Sequence, residues 1–419
     1  MVVVQHSKGD IEMIYRVNNK VLFVQGAKNG AIYNFNTGKV YSVNDSGCDI
    51  IKDYVNGKIN VYEDSYLKLL DENQLISRSF TPCKYLTSNR FDVKLEMAWI
   101  EITQKCNLKC VHCYEGNEHM GFKNVLSIAE WKCVIDQLAA EKINRLIVIG
   151  GEPCCNRDTN EILSYAAQYP IDITLFTNAT LIDEQLFKTI VDKNIRVKIS
   201  VYGPNADIHD KVTTVKGSFD KLVATVKRLK DKSVDVTSSI VVMKENEEYI
   251  DQTVEFVKSI GMNFKKYDVI RNVYGGTQSE HTPVSQKALD VAYFKKPNFW
   301  TSEEQFERNF ALNTCWYGKI AVMENGDVIP CEFERNYKYG NIRNNTIREI
   351  LEKDETISKW WLNFDKIDVC RDCEYRYACR DCRALGISVC GSMTSKNPRC
   401  LYNPYSGEWN ENEEKNNSK

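Results

Sequence analysis

The sequence has no excess of basic charge. Its 55 lysines and arginines are offset by 57 aspartates and glutamates, a formal net charge of −2, so no basic field invites nucleic acid. It also lacks a long apolar run at its start. MVVVQHSKGDIEMIYR holds three consecutive apolar residues after Met1, too few for a signal peptide or a membrane span. A cytoplasmic protein with no membrane partner is therefore expected. Histidine is scarce, five scattered residues, which speaks against a mixed Cys/His zinc protein. No internal repeat at a solenoid period is present. What stands out is 16 cysteines in 419 residues. In a reducing compartment they do not read as a disulfide framework. Clustered, they mean metal or redox chemistry.

The length exceeds one ordinary core, so two or three domains are expected. Residues 1–80 read as a small α+β unit, with strands at 20–24, 31–35 and 39–43. Asn36-Thr37-Gly38 forms a hairpin turn between the last two, and helices follow over 44–57 and 63–76. Residues 81–94, polar and with a proline, read as a linker. Residues 95–276 alternate strand and helix. Strands are predicted at 97–103, 145–151, 172–178, 196–203, 234–243 and 265–270. Helices are predicted at 127–143, with a capping box from Ser127 to Glu130, at 184–193, and at 218–232, capped by Ser218. Six βα units imply a parallel sheet and a partial barrel, with its active site at the C-terminal strand ends. Residues 277–310 read as a bridging region, 311–409 as a second cysteine-bearing domain, and 410–419 as a disordered tail.

The first strand runs into EITQKCNLKCVHCYEGNEHMG (101–121). Its cysteines, Cys106, Cys110 and Cys113, are spaced C-x3-C-x2-C, with no fourth nearby. Three thiolates can hold a cubane [4Fe–4S] cluster and leave one iron open. A structural cluster or a structural zinc takes four ligands. The nearest other candidates are His112 and His119. Chance or a zinc knuckle is the competing reading.

This loop, at the end of the first strand of a βα barrel, resembles the radical SAM superfamily. The resemblance implies that the open iron binds the amino and carboxylate groups of S-adenosylmethionine (SAM), and that His112, preceding the third cysteine, packs near the adenine. It further implies that Gly150, Gly151, Glu152 and Pro153, ending the second strand, meet the methionine end, the glycines letting backbone carbonyls approach and Glu152 facing the ammonium. Thr177-Asn178-Ala179-Thr180 resembles the family's third-strand turn, with Ala179 where glycine is usual. Ser200, ending the fourth strand, resembles a ribose-contacting hydroxyl.

Cys315, Cys331, Cys370, Cys373, Cys379, Cys382, Cys390 and Cys400 follow. CRDCEYRYACRDC by itself also suits zinc. Beside the radical SAM loop, the pattern resembles the SPASM extension with two auxiliary [4Fe–4S] clusters, three clusters in all. By that resemblance Cys370, Cys373, Cys379 and Cys400 hold the distal cluster. Cys315, Cys331 and Cys382 hold the nearer one, its fourth position taken by Cys390 or left open. Tyrosines and arginines of the segment are expected to shield and hydrogen-bond the cluster sulfurs. Cys48, Cys133, Cys154 and Cys155 are expected to be structural, Cys133 as a buried helix residue.

The expected fold is therefore α/β: a partial (β/α)6 TIM-like barrel with an N-terminal winged-helix-like α+β domain and a C-terminal iron–sulfur SPASM domain. Residues 1–80 weakly resemble the PqqD-like domain that binds a leader peptide by strand addition, with 39–43 as the candidate edge. The resemblance implies a radical SAM oxidoreductase acting on a ribosomally made precursor peptide through a 5′-deoxyadenosyl radical. A thioether or other intramolecular crosslink is the expected product, and a ferredoxin or flavodoxin the expected electron donor. The alternatives are a sulfatase-maturase-like formylglycine-forming enzyme and a non-enzymatic metal-binding interaction protein.

Overall fold

The structure, a computed structural model, describes residues 14–85, 91–113, 124–273, 278–293 and 299–409. His119, the expected tail 410–419, residues 1–13 and parts of the expected linker and bridging region lie outside the described residues. The chain divides into two compact units, each assembled from separate stretches.

One unit comprises residues 1–92, 293–317 and 358–414. Its sheet has strands β1 (Ile14–Asn18), β2 (Val21–Gln25), β3 (Gly30–Asn34), β4 (Lys39–Val43) and β5 (Cys83–Lys84), in the antiparallel order β4-β3-β2-β1-β5. Two of these strands were not predicted. β1, Ile-Tyr-Arg-Val-Asn, has its apolar residues interrupted by Arg16, and β5 is a two-residue pairing within the expected linker. Alternation sends Val21 and Phe23 to one face and Leu22 and Val24 to the other. The first face packs on helices α1 (Asp45–Val55) and α2 (Ser65–Glu72) through Cys48, Ile51, Leu67 and Leu70. The second packs on Phe306, Phe310, Tyr375, Tyr377 and Tyr402. The N-terminal sheet thus shares a core with the C-terminal cysteine segment. Tyr33 Oη donates to the Glu374 carbonyl at 2.7 Å, and the Ala27 N–H to the Asp372 carbonyl at 2.8 Å.

The other unit comprises residues 93–292, 318–357 and 415–419. It contains all six expected barrel strands: β6 (Met97–Glu101), β7 (Arg145–Ile149), β8 (Asp172–Thr177), β9 (Arg196–Val201), β10 (Val236–Val242) and β11 (Asp268–Val269). They run parallel in sequence order. Helices α3 (Ile128–Ala140), α4 (Thr159–Ala166), α5 (Glu184–Asp192), α6 (Ala206–Thr213), α7 (Ser218–Asp231) and α8 (Ile250–Ser259) connect them. The Ser127/Glu130 capping box at α3 is present. At α7 the cap differs from expectation. Gly217 is the N-cap, and Asp210 of α6 accepts from the N–H groups of Gly217 and Phe219 at 2.6 and 2.9 Å. Cys133 also departs: it is exposed, because it falls beside the buried stripe of Trp131, Val134, Ile135 and Leu138.

The sheet does not end at β6. Strand β12 (Lys319–Val322) pairs parallel to β6, and β13 (Asp327–Ile329) and β14 (Gly340–Asn341) extend it antiparallel to nine strands. β12 and β13 form a hairpin that runs on to Cys331. A buried bidentate pair fixes the join: Arg335 donates to both Glu101 oxygens, at 3.2 and 2.5 Å. Among the described residues no helix is long and apolar enough to cross a membrane.

Candidate active site

The three-cysteine loop leaves the C-terminal end of β6 and is tied down on two sides. Toward β7, the Gly151 N–H donates to the Thr103 carbonyl at 2.8 Å and the Glu152 N–H to the Lys105 carbonyl at 2.9 Å. Toward α6, the Lys109 and Val111 N–H groups donate to the Thr213 and Val212 carbonyls at 3.2 and 2.9 Å. The glycines have a different immediate purpose from the one expected. A Cβ on Gly150 would lie 2.5 Å from the Thr103 carbonyl oxygen, and one on Gly151 2.4 Å from that of Gln104. It is the cysteine loop's own backbone that requires glycine there.

The strand ends enclose a cavity of about 310 Å³. Cys106, Cys110 and Cys113 line it together with Gly150, Gly151 and Glu152. His112, Asn178 and Ser200 line it as well. Of the residues proposed for this site, Pro153 alone does not; it opens the short helical turn behind Glu152. Burial, then mutual repulsion with Cys106 and Cys113, pushes the Cys110 thiol up. Burial likewise pushes Cys106 up to about 12. Burial lowers His112 to about 4, so its ring is neutral, and its Nδ1 is buried without a hydrogen-bond partner among the described residues.

Glu152 is 1 % exposed. One carboxylate oxygen accepts from Thr177 Oγ1 at 2.6 Å and the Cys154 N–H at 3.1 Å, the other from the Asn178 N–H at 2.7 Å. Burial raises its pKa against these donors. Asn178 Nδ2 donates to Asn107 Oδ1 at 2.9 Å, which ties the third-strand turn to the cysteine loop. Three half-buried sulfurs line a cavity large enough for a ligand, with no fourth cysteine in its described lining, a donor set that suits a cluster with one open iron. They do not make a closed tetrahedral zinc site.

In the other unit, Cys370, Cys373, Cys379 and Cys400 stand close enough to repel one another as thiolates. Burial raises the thiols of Cys370, Cys373 and Cys379, that of Cys370 to about 12, and the neighbouring sulfurs add to it, after Glu374 in the case of Cys373. Arg376 and Tyr377 turn to a carboxylate and to backbone. Arg376 donates to Asp365 Oδ1 at 2.9 Å and to the Cys373 carbonyl at 2.8 Å, and Tyr377 Oη donates to the same Asp365 oxygen at 2.8 Å. Their hold on the cysteines runs through the backbone. Arg383 is fully buried and donates to Asp381 and to the Met393 and Ser395 carbonyls, with Cys315 near it. Cys382 is the N-cap of the helix Arg383–Cys390. Cys390 is exposed at the far end of that helix, about 12 Å along its axis at the usual rise, and is not brought beside Cys382. Cys331 belongs to the barrel unit, where it is buried after β13.

Two known families match this chain. The Radical SAM superfamily matches residues 100–257 and the SPASM iron-sulfur cluster-binding domain residues 315–374. This chain is a radical SAM protein with a SPASM domain. It is 28% identical over 340 residues to the AdoMet-dependent heme synthase of Methanosarcina barkeri, covering 74% of this chain and 96% of that one. It is 28% identical over 289 residues to the antilisterial bacteriocin subtilosin biosynthesis protein AlbA of Bacillus subtilis, covering 65% and 63%. Its fold is similar to that of Streptococcus suis SuiB bound to the precursor peptide SuiA, with a TM-score of 0.59 and 15% identity over 91% of this chain and 98% of that one.

The radical SAM cavity also holds residues that sequence reasoning missed: Trp99, Phe176, Lys198, Tyr202, Glu332 and Phe333. A signal existed for two of them. Lys198 and Tyr202 lie two residues either side of Ser200, and β-strand alternation puts all three on one face. Glu332 and Phe333 follow Cys331 and reach the cavity through the β12–β6 pairing, which no local pattern announces.

Proposed function

We propose that this chain modifies a ribosomally made precursor peptide, with an intramolecular crosslink, a thioether foremost, as product. The observation that carries the reading is the cavity where three thiols, with no fourth cysteine, meet the Gly150–Gly151–Glu152 turn. Bound there, a [4Fe–4S] cluster and SAM would supply one-electron cleavage of the sulfonium and a carbon radical able to abstract hydrogen. Cys106, Cys110 and Cys113 would hold that cluster. Glu152, its carboxylate already oriented by three donors, would receive the methionine ammonium. Asn178 and Ser200 would border the nucleotide, with the neutral His112 ring near the adenine. Trp99, Phe176 and Phe333 would keep water from the far side of the cavity.

In the SPASM domain, Cys370, Cys373, Cys379 and Cys400 would hold one auxiliary cluster. The assignment of Cys315, Cys331 and Cys382 to a second rests on the sequence pattern. With Cys390 exposed at the end of its helix, the fourth position of that cluster is read as open. The total is three clusters, about 12 iron atoms per chain. The N-terminal sheet would bind the leader along β4, the outermost strand, where Lys39, Tyr41 and Ser42 are exposed. Its first residue is already bridged to Trp300, so the free edge would begin at Val40. A cytoplasmic setting and a ferredoxin or flavodoxin as electron donor complete the reading.

The test is anaerobic reconstitution followed by SAM and a strong reductant. About 12 iron per chain and 5′-deoxyadenosine are expected. Iron uptake without SAM cleavage overturns the reading. The heme-synthase relative motivates a second reading, a porphyrin substrate. Co-expression with short peptides encoded beside the gene separates the two: loss of a pair of hydrogens from such a peptide supports the crosslink, and turnover of an added iron porphyrin instead supports the second reading.

A further inference from the structure

Lys198 is the one cation in the described lining of the radical SAM cavity, the His112 ring being neutral. It is half-buried on β9, opposite Phe176 of β8 in the strand register. Ser200 follows two residues later on the same face, so Lys198 lies about 7 Å deeper along the strand than the residue placed beside the nucleotide. The cavity continues past it. Trp99, Ile147 and Thr174 form one register row across β6, β7 and β8 and line it deeper still. The Phe176 ring centre is 4.8 Å from the Lys198 Nζ, and among the described residues no hydrogen bond or ion pair holds that nitrogen. Burial opposes the charge on Lys198, while Glu332 and Asp268 favour it. An ammonium has three hydrogens to donate, and in a half-buried site their lack of acceptors is costly.

We propose that Lys198 is a substrate-binding residue, its ammonium donating to a main-chain carbonyl oxygen of the peptide beside the carbon that loses hydrogen. The inference rests on the peptide-modifying reading above. The acceptor is a carbonyl because of the charges already present. Glu152, Glu332 and three cysteine sulfurs line the same cavity. A substrate carboxylate would add a further anion there, whereas a carbonyl supplies the missing acceptor without charge. A carbonyl is also one bond from the α-carbon, so holding it fixes which hydrogen faces the reactive centre. Lys198 makes and breaks no covalent bond; it orients the peptide against the apolar wall of Trp99, Phe176 and Phe333.

The experiment gives the reconstituted holoenzyme SAM, reductant and the short peptide encoded beside the gene, and counts 5′-deoxyadenosine formed per modified peptide. Lys198→Met keeps the length of the side chain and removes its donors. Its ratio of deoxyadenosine to product is expected to rise roughly tenfold or more, the order set by losing one hydrogen bond from a charged group. Lys198→Arg keeps a donor and is expected to recover most of the coupling, which a merely space-filling role would not predict. A Lys198→Met ratio equal to that of wild type overturns the inference, as does equal uncoupling by both variants. A Lys198→Met protein that takes up its iron and forms no deoxyadenosine assigns the lysine to the nucleotide and overturns it too. Should Lys198→Met take up no iron, Lys198→Leu and Lys198→Gln are read in its place by the same criteria. A wild type that cleaves SAM and leaves every such peptide unmodified refutes the proposed function instead, so the two failures are distinguishable.

Discussion

Two groups of cysteines in this chain have opposite surroundings. Cys106, Cys110 and Cys113 come from one short loop and border a cavity. Cys370, Cys373, Cys379 and Cys400 come from two stretches and are packed with aromatic rings; Cys373 and Cys400 lie against Tyr375, Tyr377 and Tyr402. The first group lines a cavity with three sulfurs and has room for a ligand, whereas the second brings four sulfurs together, all seven being partly exposed. The difference between the groups is therefore in sulfur count and in the cavity, as it should be if one cluster binds a substrate and the other only passes electrons. The supports differ too. The three-cysteine loop hangs on backbone hydrogen bonds from β7 and α6. The four-cysteine segment is braced by buried ion pairs, Arg376 with Asp365 and Arg383 with Asp381.

The strongest way to break this contrast is to remove one sulfur from each side. Cys110→Ala is expected to abolish 5′-deoxyadenosine formation and to lower iron from about 12 to about 8 atoms per chain, the auxiliary clusters remaining. Cys379→Ala is expected to lose a similar amount of iron, to keep SAM cleavage and to lose peptide product. Iron analysis with deoxyadenosine chromatography reads both. If Cys379→Ala stopped SAM cleavage while Cys110→Ala did not, the two roles would have to be exchanged.

A smaller effect is expected from the pair beneath the open loop. Glu101, five residues before Cys106, and Arg335, four after Cys331, are both nearly inaccessible, at 1% and 5% side-chain exposure. Glu101→Gln removes the carboxylate that Arg335 grips with two nitrogens and is expected to destabilise the barrel unit, read as a lower denaturant midpoint. Burial raises the Glu101 pKa and Arg335 opposes that rise. A folded pKa above the unfolded value makes this group favour folding at low pH and lose that contribution as pH rises. The pair therefore serves position more than stability, and a Glu101→Gln protein as stable as wild type would show that the join between β6 and the β12–β13 hairpin is held elsewhere.

Much of this architecture was legible in the sequence because it is local. The barrel strands are short apolar runs with turn residues between them, and the capping box of α3 is written in Ser127 and Glu130. Cysteine spacing singled out both groups of sulfurs. What escaped prediction depends on distant partners. β5 is a strand only because β1 pairs with it. β12 joins the barrel sheet across more than two hundred residues of chain. Helices α4 and α6, eight residues each, are too short to show a convincing period. The N-terminal sheet looked like a separate domain, yet one of its faces is completed by Phe306, Tyr375 and Tyr402, which no reading of residues 1–80 contains. Glu332 was invisible for the same reason: only the fold brings it to the cavity.

The finest test concerns the turn that closes the open site. Ala179 is fully buried with φ of +63°, in the left-handed region where an L side chain costs about 1–2 kcal/mol. Thr177 Oγ1 accepts from its N–H at 3.0 Å, and Thr225 Oγ1 donates to its carbonyl at 2.8 Å, so the turn is held in this conformation from both sides. Ala179→Gly removes the strain but adds about 0.5–1 kcal/mol of unfolded-chain entropy. The net expectation is a gain below about 1 kcal/mol, seen as a melting temperature higher by about 1–3 °C, with SAM binding unchanged because Asn178 and its bond to Asn107 remain in place. A destabilised Ala179→Gly protein would mean that the methyl group packs against the barrel better than the backbone angle suggests, and that the strain at this turn is outweighed by burial.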